Sequence, residues 1–458
     1  VMLLHAGARL HDAATGEVIA GADLGQRVQE QAKAFADLPP GVLFARISPD
    51  VAGVLGYLAA LEAGRAVALL DPAQDRDVLD GLIARFRPAA VLGAGEGDPP
   101  PGYRENWVRA DAEGVVPHED LAVLLPTSGS TGNPKFVRLS RQAIAANAEA
   151  IAEVLGIDEN EVAPTSLPLH YSYGMSVLNS HLVRGATVVL ENSGVVGRGF
   201  WDAVTRYGVT SLAGVPYHYE MLRRMRFDPA KYPTLRTLTQ AGGRLRPELI
   251  TEFHTKMTEA GGRMFVMYGQ TEAGPRMSTL PSERLDEKLG SVGPALPGGM
   301  FSIRAEDGTE ITEPGVTGEV VYRGPNVMMG YAESEAELSL GDVTGGELVT
   351  GDLGHLDADG YLFVTGRIKR IGKVFGNRVS LDDLEQIVKA HGAAAAVPAG
   401  DKVVIWLDGA DKDTCKAAAK LLAETLHLHV TGFDVRGSDG FPLLPSGKID
   451  YRSLEARA

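Results

Sequence analysis

Between Thr127 and Lys135 the chain reads Thr127-Ser128-Gly129-Ser130-Thr131-Gly132-Asn133-Pro134-Lys135. Hydroxyls at Ser128, Ser130 and Thr131, glycines at Gly129 and Gly132, and a terminal lysine together suit the holding of a phosphate-like anion. Glycine lets backbone N–H groups turn toward the charge, hydroxyls add donors, and Lys135 adds a cation. The pattern is not the GxxxxGK[ST] loop that leads straight into a helix. It sits between two strand-like runs, LAVLLP and FVRLS. Ser140 then stands where it can cap a helix whose Ile144, Ala148, Ile151 and Leu155 share one face. A turn rich in Ser, Thr and Gly is more commonly plain surface, but a string this long ending in Pro-Lys is far rarer.

Four further segments carry chemistry. Met267-Tyr268-Gly269-Gln270-Thr271-Glu272 begins at the end of the apolar run RMFVMY, and loops at strand ends are where α/β folds place their ligands. Glu272 offers a hard oxygen to magnesium, Thr271 a hydrogen bond, and Tyr268 a flat face. Upstream, Thr239-Gln240-Ala241-Gly242-Gly243 allows close backbone approach to a planar ligand through Gly242 and Gly243. Asp352 follows Leu348-Val349-Thr350-Gly351 and could accept from two hydroxyls, and Arg367 follows the run YLFVTG. Lys448 lies in Pro445-Ser446-Gly447-Lys448-Ile449-Asp450, a setting in which a lysine is ordinarily exposed and idle. His170, Tyr171, Tyr173, Tyr217 and His218 would suit an aromatic or hydroxylated ligand by stacking and hydrogen bonding, with core packing as the equal alternative.

The elements that must position these residues alternate. Residues 41–72 read as strand, helix, strand, and 81–94 repeat the pattern. Further strands are expected at 187–190, 209–215 and 263–268. Such alternation implies a large α/β domain with mostly parallel sheets. From about residue 300 short strand-like runs separated by Gly, Asp and Pro suggest a small β-rich subdomain. The remainder reads as α+β, with helices at 381–390 and 412–426 around a strand at 402–407. The crowded GRIKRIGK segment marks the expected boundary.

Composition narrows the class. With 458 residues, one core is too few. The 44% hydrophobic and 22% charged residues are ordinary for a soluble globular protein. A net charge of -15 argues against a nucleic-acid surface or an acidic membrane. The single cysteine, Cys415, cannot form an internal disulfide and fits a reducing cytoplasm, and its amphipathic setting suggests a small buried residue. No stretch approaches a membrane span, and the first residues lack the pattern of a secretory signal.

TSGSTGNPK resembles the phosphate-loop signature of the adenylate-forming superfamily, which includes acyl-CoA synthetases, peptide-synthetase adenylation domains and beetle luciferases. The other motifs follow in that family's order over nearly the whole chain. The resemblance implies activation of a carboxylic acid by ATP with magnesium, then transfer of the acyl group to an acceptor. Thr127 to Gly132 and Lys135 would hold the phosphates, Glu272 the metal, and Thr271 and Lys448 the reacting centre. Gly242, Gly243, Tyr268 and Gly269 would face the adenine, and Asp352 and Arg367 the ribose or α-phosphate. The implied architecture is a large domain over 1–366, a hinge over 367–370 pivoting at Lys369, and a small mobile α+β domain over 371–458. Gly376, with Lys373 as a second candidate, would approach the acceptor channel.

Many acyl-CoA ligases carry His where this chain has Tyr171. The Asp that pairs an α-amino group in peptide-synthetase domains is not seen near 170–175, which disfavours an α-amino acid. Coenzyme A is the expected acceptor, with the phosphopantetheine of a carrier protein or an amine as alternatives. A non-catalytic nucleotide binder is a further alternative, against which Glu272 and Lys448 both stand. A phosphotransferase would release ADP instead of AMP.

Overall fold

The computed structural model describes residues 3–95, 97–127, 135–368, 370–375, 377–444 and 447–458. The chain divides into two compact units. One is Val1–Phe301 with Tyr322–Leu348, and the other is Ser302–Val321 with Val349–Ala458. The β-rich segment after residue 301 therefore groups largely with the C-terminal portion.

Among the described residues the first unit is built on three sheets. The largest runs in the order Gly330–Ala332, Lys135–Ser140, Leu121–Thr127, Val67–Leu70, Leu43–Arg46, Ala90–Leu92. Its last four strands are parallel, and Lys135–Ser140 and Gly330–Ala332 add antiparallel pairings at one edge. Val67–Leu70 is buried along its whole length, as a parallel strand covered on both faces must be. Helix Gly21–Ala36 turns Leu24, Val28, Ala32 and Phe35 into the core at helical spacing, and Val51–Glu62 is apolar nearly all round because it is buried nearly all round.

A second sheet has the order Ser211–Gly214, Thr237–Gln240, Arg263–Gly269, Arg276–Leu280, the first three parallel. A third has the order Val18–Ala20, Arg9–Asp12, Thr187–Leu190, Val162–Pro164. The expected strands at 187–190, 209–215 and 263–268 fall at Thr187–Leu190, Ser211–Gly214 and Arg263–Gly269. The apolar face over 144–155 is buried as expected, and the Ala143 amide donates to Ser140 Oγ at 3.0 Å to cap that helix.

The second unit holds a five-stranded sheet ending in Glu347–Leu356 and Leu362–Arg367, and a hairpin of Ile371–Val374 with Asn377–Ser380. A three-stranded sheet of Ala394–Ala399, Lys402–Asp408 and Phe433–Ser438 follows. Helix Lys412–Leu426 covers this sheet with Ala418, Ala419 and Leu422, and Cys415 is buried and free beside them. The helix expected over 381–390 ends at Ile387, and one 3-10 turn, Lys389–His391, follows before Gly392. A mixed α/β fold with a larger N-terminal and a smaller C-terminal unit is what the alternation implied.

Candidate active site

In the first unit, strands Leu121–Thr127 and Lys135–Ser140 pair antiparallel, and Thr127 stands opposite Lys135 at their open ends. The phosphate-type turn thus joins two strands, as its flanks predicted. Ser128, Gly129, Ser130, Thr131 and Gly132 lie outside the described residues, whereas Thr127 and Lys135 frame the turn. Thr127 Oγ1 donates to the Lys135 carbonyl at 3.4 Å.

Strand Arg263–Gly269 delivers the second motif. At Gly269 a Cβ would run into the carbonyl oxygen of Pro275, so only glycine fits the bend. The loop closes through Gln270 N–H to Pro275 O at 2.9 Å. Asn326 Nδ2 donates to the Ala273 and Arg276 carbonyls at 2.6 and 2.9 Å, and Asn147 Nδ2 donates to Arg276 O at 2.8 Å. Thr271 and Glu272 are presented from this braced loop. Thr271 Oγ1 shares a hydrogen bond with Ser172 Oγ at 3.1 Å, which joins the motif to the helix Ser172–Leu182.

Glu272 and Lys135 converge on a residue that the sequence did not single out, Tyr331. The phenol donates to Glu272 Oε1 at 2.8 Å, and the Lys135 ammonium lies 3.4 Å from the ring centroid. An ammonium over an aromatic face is stabilised by about 0.5–2 kcal/mol according to its exposure. Burial, with the Glu272 carboxylate beside it, pushes the Tyr331 phenol upward. Among the described residues no group of three or more His, Cys, Asp or Glu side chains could hold a metal alone. Glu272 has one oxygen taken by Tyr331, and the other has no hydrogen-bond partner among the described residues. That donor set fits magnesium, which keeps several waters and takes one or two carboxylates plus substrate phosphate oxygens.

The glycine segment is braced from below. Gln240 Nε2 donates to Gly243 O at 2.7 Å, Tyr219 OH donates to Thr239 O at 2.8 Å, and Gly242 holds φ at +84°. Tyr268 lies with its ring centroid 6.3 Å from that of Phe301.

The aromatic set is brought together in part. Tyr173 is buried, shares a hydrogen bond with Thr239 Oγ1 at 3.0 Å, and belongs to a core cluster with Val215, Ala241 and Met267. Tyr171 and Tyr217 pack against that cluster from partly exposed positions. His218 lies beside Tyr217 with the rings tilted and 6.0 Å between their centroids, and burial pulls its pKa down to about 4. His170 instead faces Asp71, with 3.8 Å from Nε2 to Oδ2, and burial lowers its pKa against the pull of that carboxylate. Beneath Tyr173, the buried Arg276 guanidinium stacks 4.6 Å from the ring centroid and donates to Ser176 Oγ at 3.1 Å. Arg276 stands only four residues past Glu272, but nothing in its sequence surroundings marked it.

In the second unit, Asp352 and Arg367 pair directly across strands Glu347–Leu356 and Leu362–Arg367, with 3.2 Å between Arg367 Nε and Asp352 Oδ1. Two residues from separate motifs thus form one ion pair. Asp352 is buried while Arg367 is largely exposed. Lys369 and Gly376 lie outside the described residues, and Lys373 is exposed on the 371–380 hairpin, opposite Arg378. At Lys448 the carbonyl accepts from Leu444 N–H at 2.8 Å, and Leu443 and Ile449 form an antiparallel bridge.

Residues 16–332 match the family described as AMP-binding enzyme. The chain belongs to that family, the adenylate-forming superfamily its motifs resemble. It is 32% identical over 446 residues to an indoleacetate–CoA ligase of Aromatoleum aromaticum, spanning 93% of this chain and 81% of the relative. An oxalate–CoA ligase of Arabidopsis thaliana is 29% identical over 415 residues, 82% of this chain and 79% of that one. The fold superposes on ATP-bound MatB from Rhodopseudomonas palustris with a TM-score of 0.78 and 25% identity, over 98% of this chain and 95% of the other.

Proposed function

We propose that this protein is an AMP-forming acid–thiol ligase. It activates a carboxylic acid with ATP to an acyl-adenylate, releases pyrophosphate, and transfers the acyl group to coenzyme A. The observation that carries this reading is the convergence of Lys135, at the end of the phosphate turn, and Glu272, from the Tyr-Gly-Gln-Thr-Glu loop, on Tyr331. A cation suited to phosphate and a carboxylate suited to magnesium then serve one nucleotide. The CoA ligases among its relatives support the same reaction.

The chemistry needs alignment and charge neutralisation more than covalent work from the protein. A carboxylate is a poor acyl donor because oxide would have to leave. When its oxygen attacks the α-phosphorus, the bond to the bridging oxygen breaks and pyrophosphate departs. The acyl group is then attached to AMP, a good leaving group, and a thiolate expels it. Magnesium, held by Glu272 and phosphate oxygens, would neutralise charge on the departing pyrophosphate. We assign Lys135 with the 127–132 turn to the β/γ-phosphates, Thr271 and Lys448 to the charge that develops at the reacting centre, and Asp352 with Arg367 to the ribose. Rotation about 367–370 would exchange Lys448 for the residues near Gly376 between the two steps.

For the acid we favour an aromatic or hydroxylated one. Tyr171 and Tyr217, partly exposed against Ala241 and Met267, supply flat apolar walls, and a neutral His218 adds a hydrogen-bonding edge without a charge. A cytoplasmic location completes the proposal. Among the described residues no helix is long and apolar enough to cross a membrane. The test is to incubate protein, ATP and magnesium with aryl, fatty, hydroxy and amino acids, with and without coenzyme A, and to quantify AMP, ADP and thioester. Aryl-dependent AMP and aryl-CoA are expected. ADP as product contradicts the mechanism, and acyl transfer only to a pantetheinylated carrier protein moves the acceptor.

A further inference from the structure

We propose that Tyr331 is a positioning residue of the activation site, holding the Glu272 carboxylate for magnesium and the Lys135 ammonium for phosphate. The proposal rests on the reading that Glu272 and Lys135 meet magnesium and ATP.

The placement follows from strand register. Gly330–Ala332 pairs antiparallel with Lys135–Ser140, with Tyr331 opposite Val137. Lys135 is two residues before Val137, so its side chain leaves the same face of the sheet as Tyr331 and is its diagonal neighbour. A long side chain spans that diagonal, and the ammonium ends 3.4 Å from the ring centroid.

The edge strand is itself fixed by a buried arginine on the neighbouring strand. Arg138 is wholly buried, and its guanidinium donates to the carbonyls of Met329 (2.9 Å), Tyr331 (3.3 Å) and Gly341 (3.3 Å) and to that of Leu340. The Glu272 loop is tied to the same segment by Met328 N–H to Glu272 O at 2.8 Å. Backbone and side chain thus fix Tyr331 and Glu272 relative to each other, and the phenol is aimed at one carboxylate oxygen only. The other oxygen is left for a cation. Groups that orient a metal ligand in this way ordinarily matter about 10–100-fold to metal affinity.

The two halves of the side chain have separable effects. Tyr331→Phe keeps the ring and removes the donor. In calorimetric titrations of ATP at a series of magnesium concentrations, Tyr331→Phe should need about tenfold more magnesium for the same gain in ATP affinity. Its ATP affinity in EDTA should match the parent. Tyr331→Leu removes the ring as well and should bind ATP in EDTA about threefold more weakly than Tyr331→Phe. In a Glu272→Gln background, Tyr331→Phe should add no further magnesium effect, because the hydroxyl acts through that carboxylate.

An unshifted magnesium dependence in Tyr331→Phe, or an additive effect in Glu272→Gln, overturns the role of the hydroxyl. Equal EDTA affinities for Phe and Leu overturn the role of the ring. Should Tyr331→Leu not fold, Tyr331→Met, unbranched and tolerant in packing but without a ring, takes its place with the same expected threefold loss against Tyr331→Phe, and equal EDTA affinities again overturn the role of the ring. These readouts need no acid. A shifted magnesium dependence without acid-dependent turnover would leave Tyr331 in place and remove the ligase assignment, and the reverse pattern would do the opposite.

Discussion

At His218 a burial effect becomes a measurable pH dependence. The native imidazole stays neutral down to about pH 4, whereas an unfolded one titrates at the ordinary 6.5. Between these values the unfolded chain binds more protons than the native one, so stability falls as pH falls from 6.5 toward 4 and is unaffected above 6.5. The full effect is about 3 kcal/mol at the low end. Burial also lowers His170 and His181, which share the sign. His218→Gln should therefore flatten, without abolishing, the slope of unfolding free energy between pH 6.5 and 4 in urea titrations. An unchanged slope would mean that His218 is solvated. Gly269 makes a steric prediction at the same scale. Gly269→Ala forces a Cβ into the Pro275 carbonyl, so stability should drop by about 1–3 kcal/mol. Acid activation should fall with it, because the displaced loop carries Thr271 and Glu272; normal turnover in this variant would show that the loop tolerates the shift.

Two elements decide whether the site is held. The helix Arg141–Leu155 starts at Ser140 and anchors the strand that carries Lys135. Ser140→Ala should cost about 1 kcal/mol by urea titration, since the Ala143 amide loses its acceptor. Arg138→Met should cost more, about 3 kcal/mol, because several carbonyls around Met329–Gly341 lose their donor at once. It should also loosen Tyr331, and so raise the magnesium requirement of ATP binding; a variant that is destabilised with an unchanged magnesium requirement would uncouple the clamp from the site. Ser140 was legible because a capping residue sits beside its own helix, and the strand–turn–strand was legible because apolar runs flank the turn. Arg138 and Tyr331 were not. MGYA carries no chemical pattern, and Tyr331 acquires a role only by pairing with a strand that lies far earlier in the chain. A buried arginine in FVRLS likewise shows its purpose only when the carbonyls of a distant segment surround it. The pattern over 381–390 predicts a longer helix than Leu381–Ile387 because nothing local marks a stop before Gly392.

For the whole molecule, alternating strands and helices announced an α/β fold, but not which strands neighbour which. Strand order depends on crossovers and on side-chain fit between segments far apart in sequence. For the same reason the sequence boundary near GRIKRIGK did not anticipate that residues 302–321 group with the C-terminal unit. The motifs were legible in order because each is one short contiguous run of residues. Asp352 and Arg367, from separate motifs, are cross-strand partners. In the proposed reaction Lys448 acts in the first chemical step. The most direct measurement is acid-dependent exchange of labelled pyrophosphate into ATP, without any thiol, in the parent protein and in Lys448→Ala. The parent should exchange label only when an acid substrate is present, and Lys448→Ala should lose roughly a hundredfold or more of that rate while still binding ATP. Undiminished exchange in Lys448→Ala, or exchange independent of acid, would contradict acyl-adenylate formation assisted by this lysine.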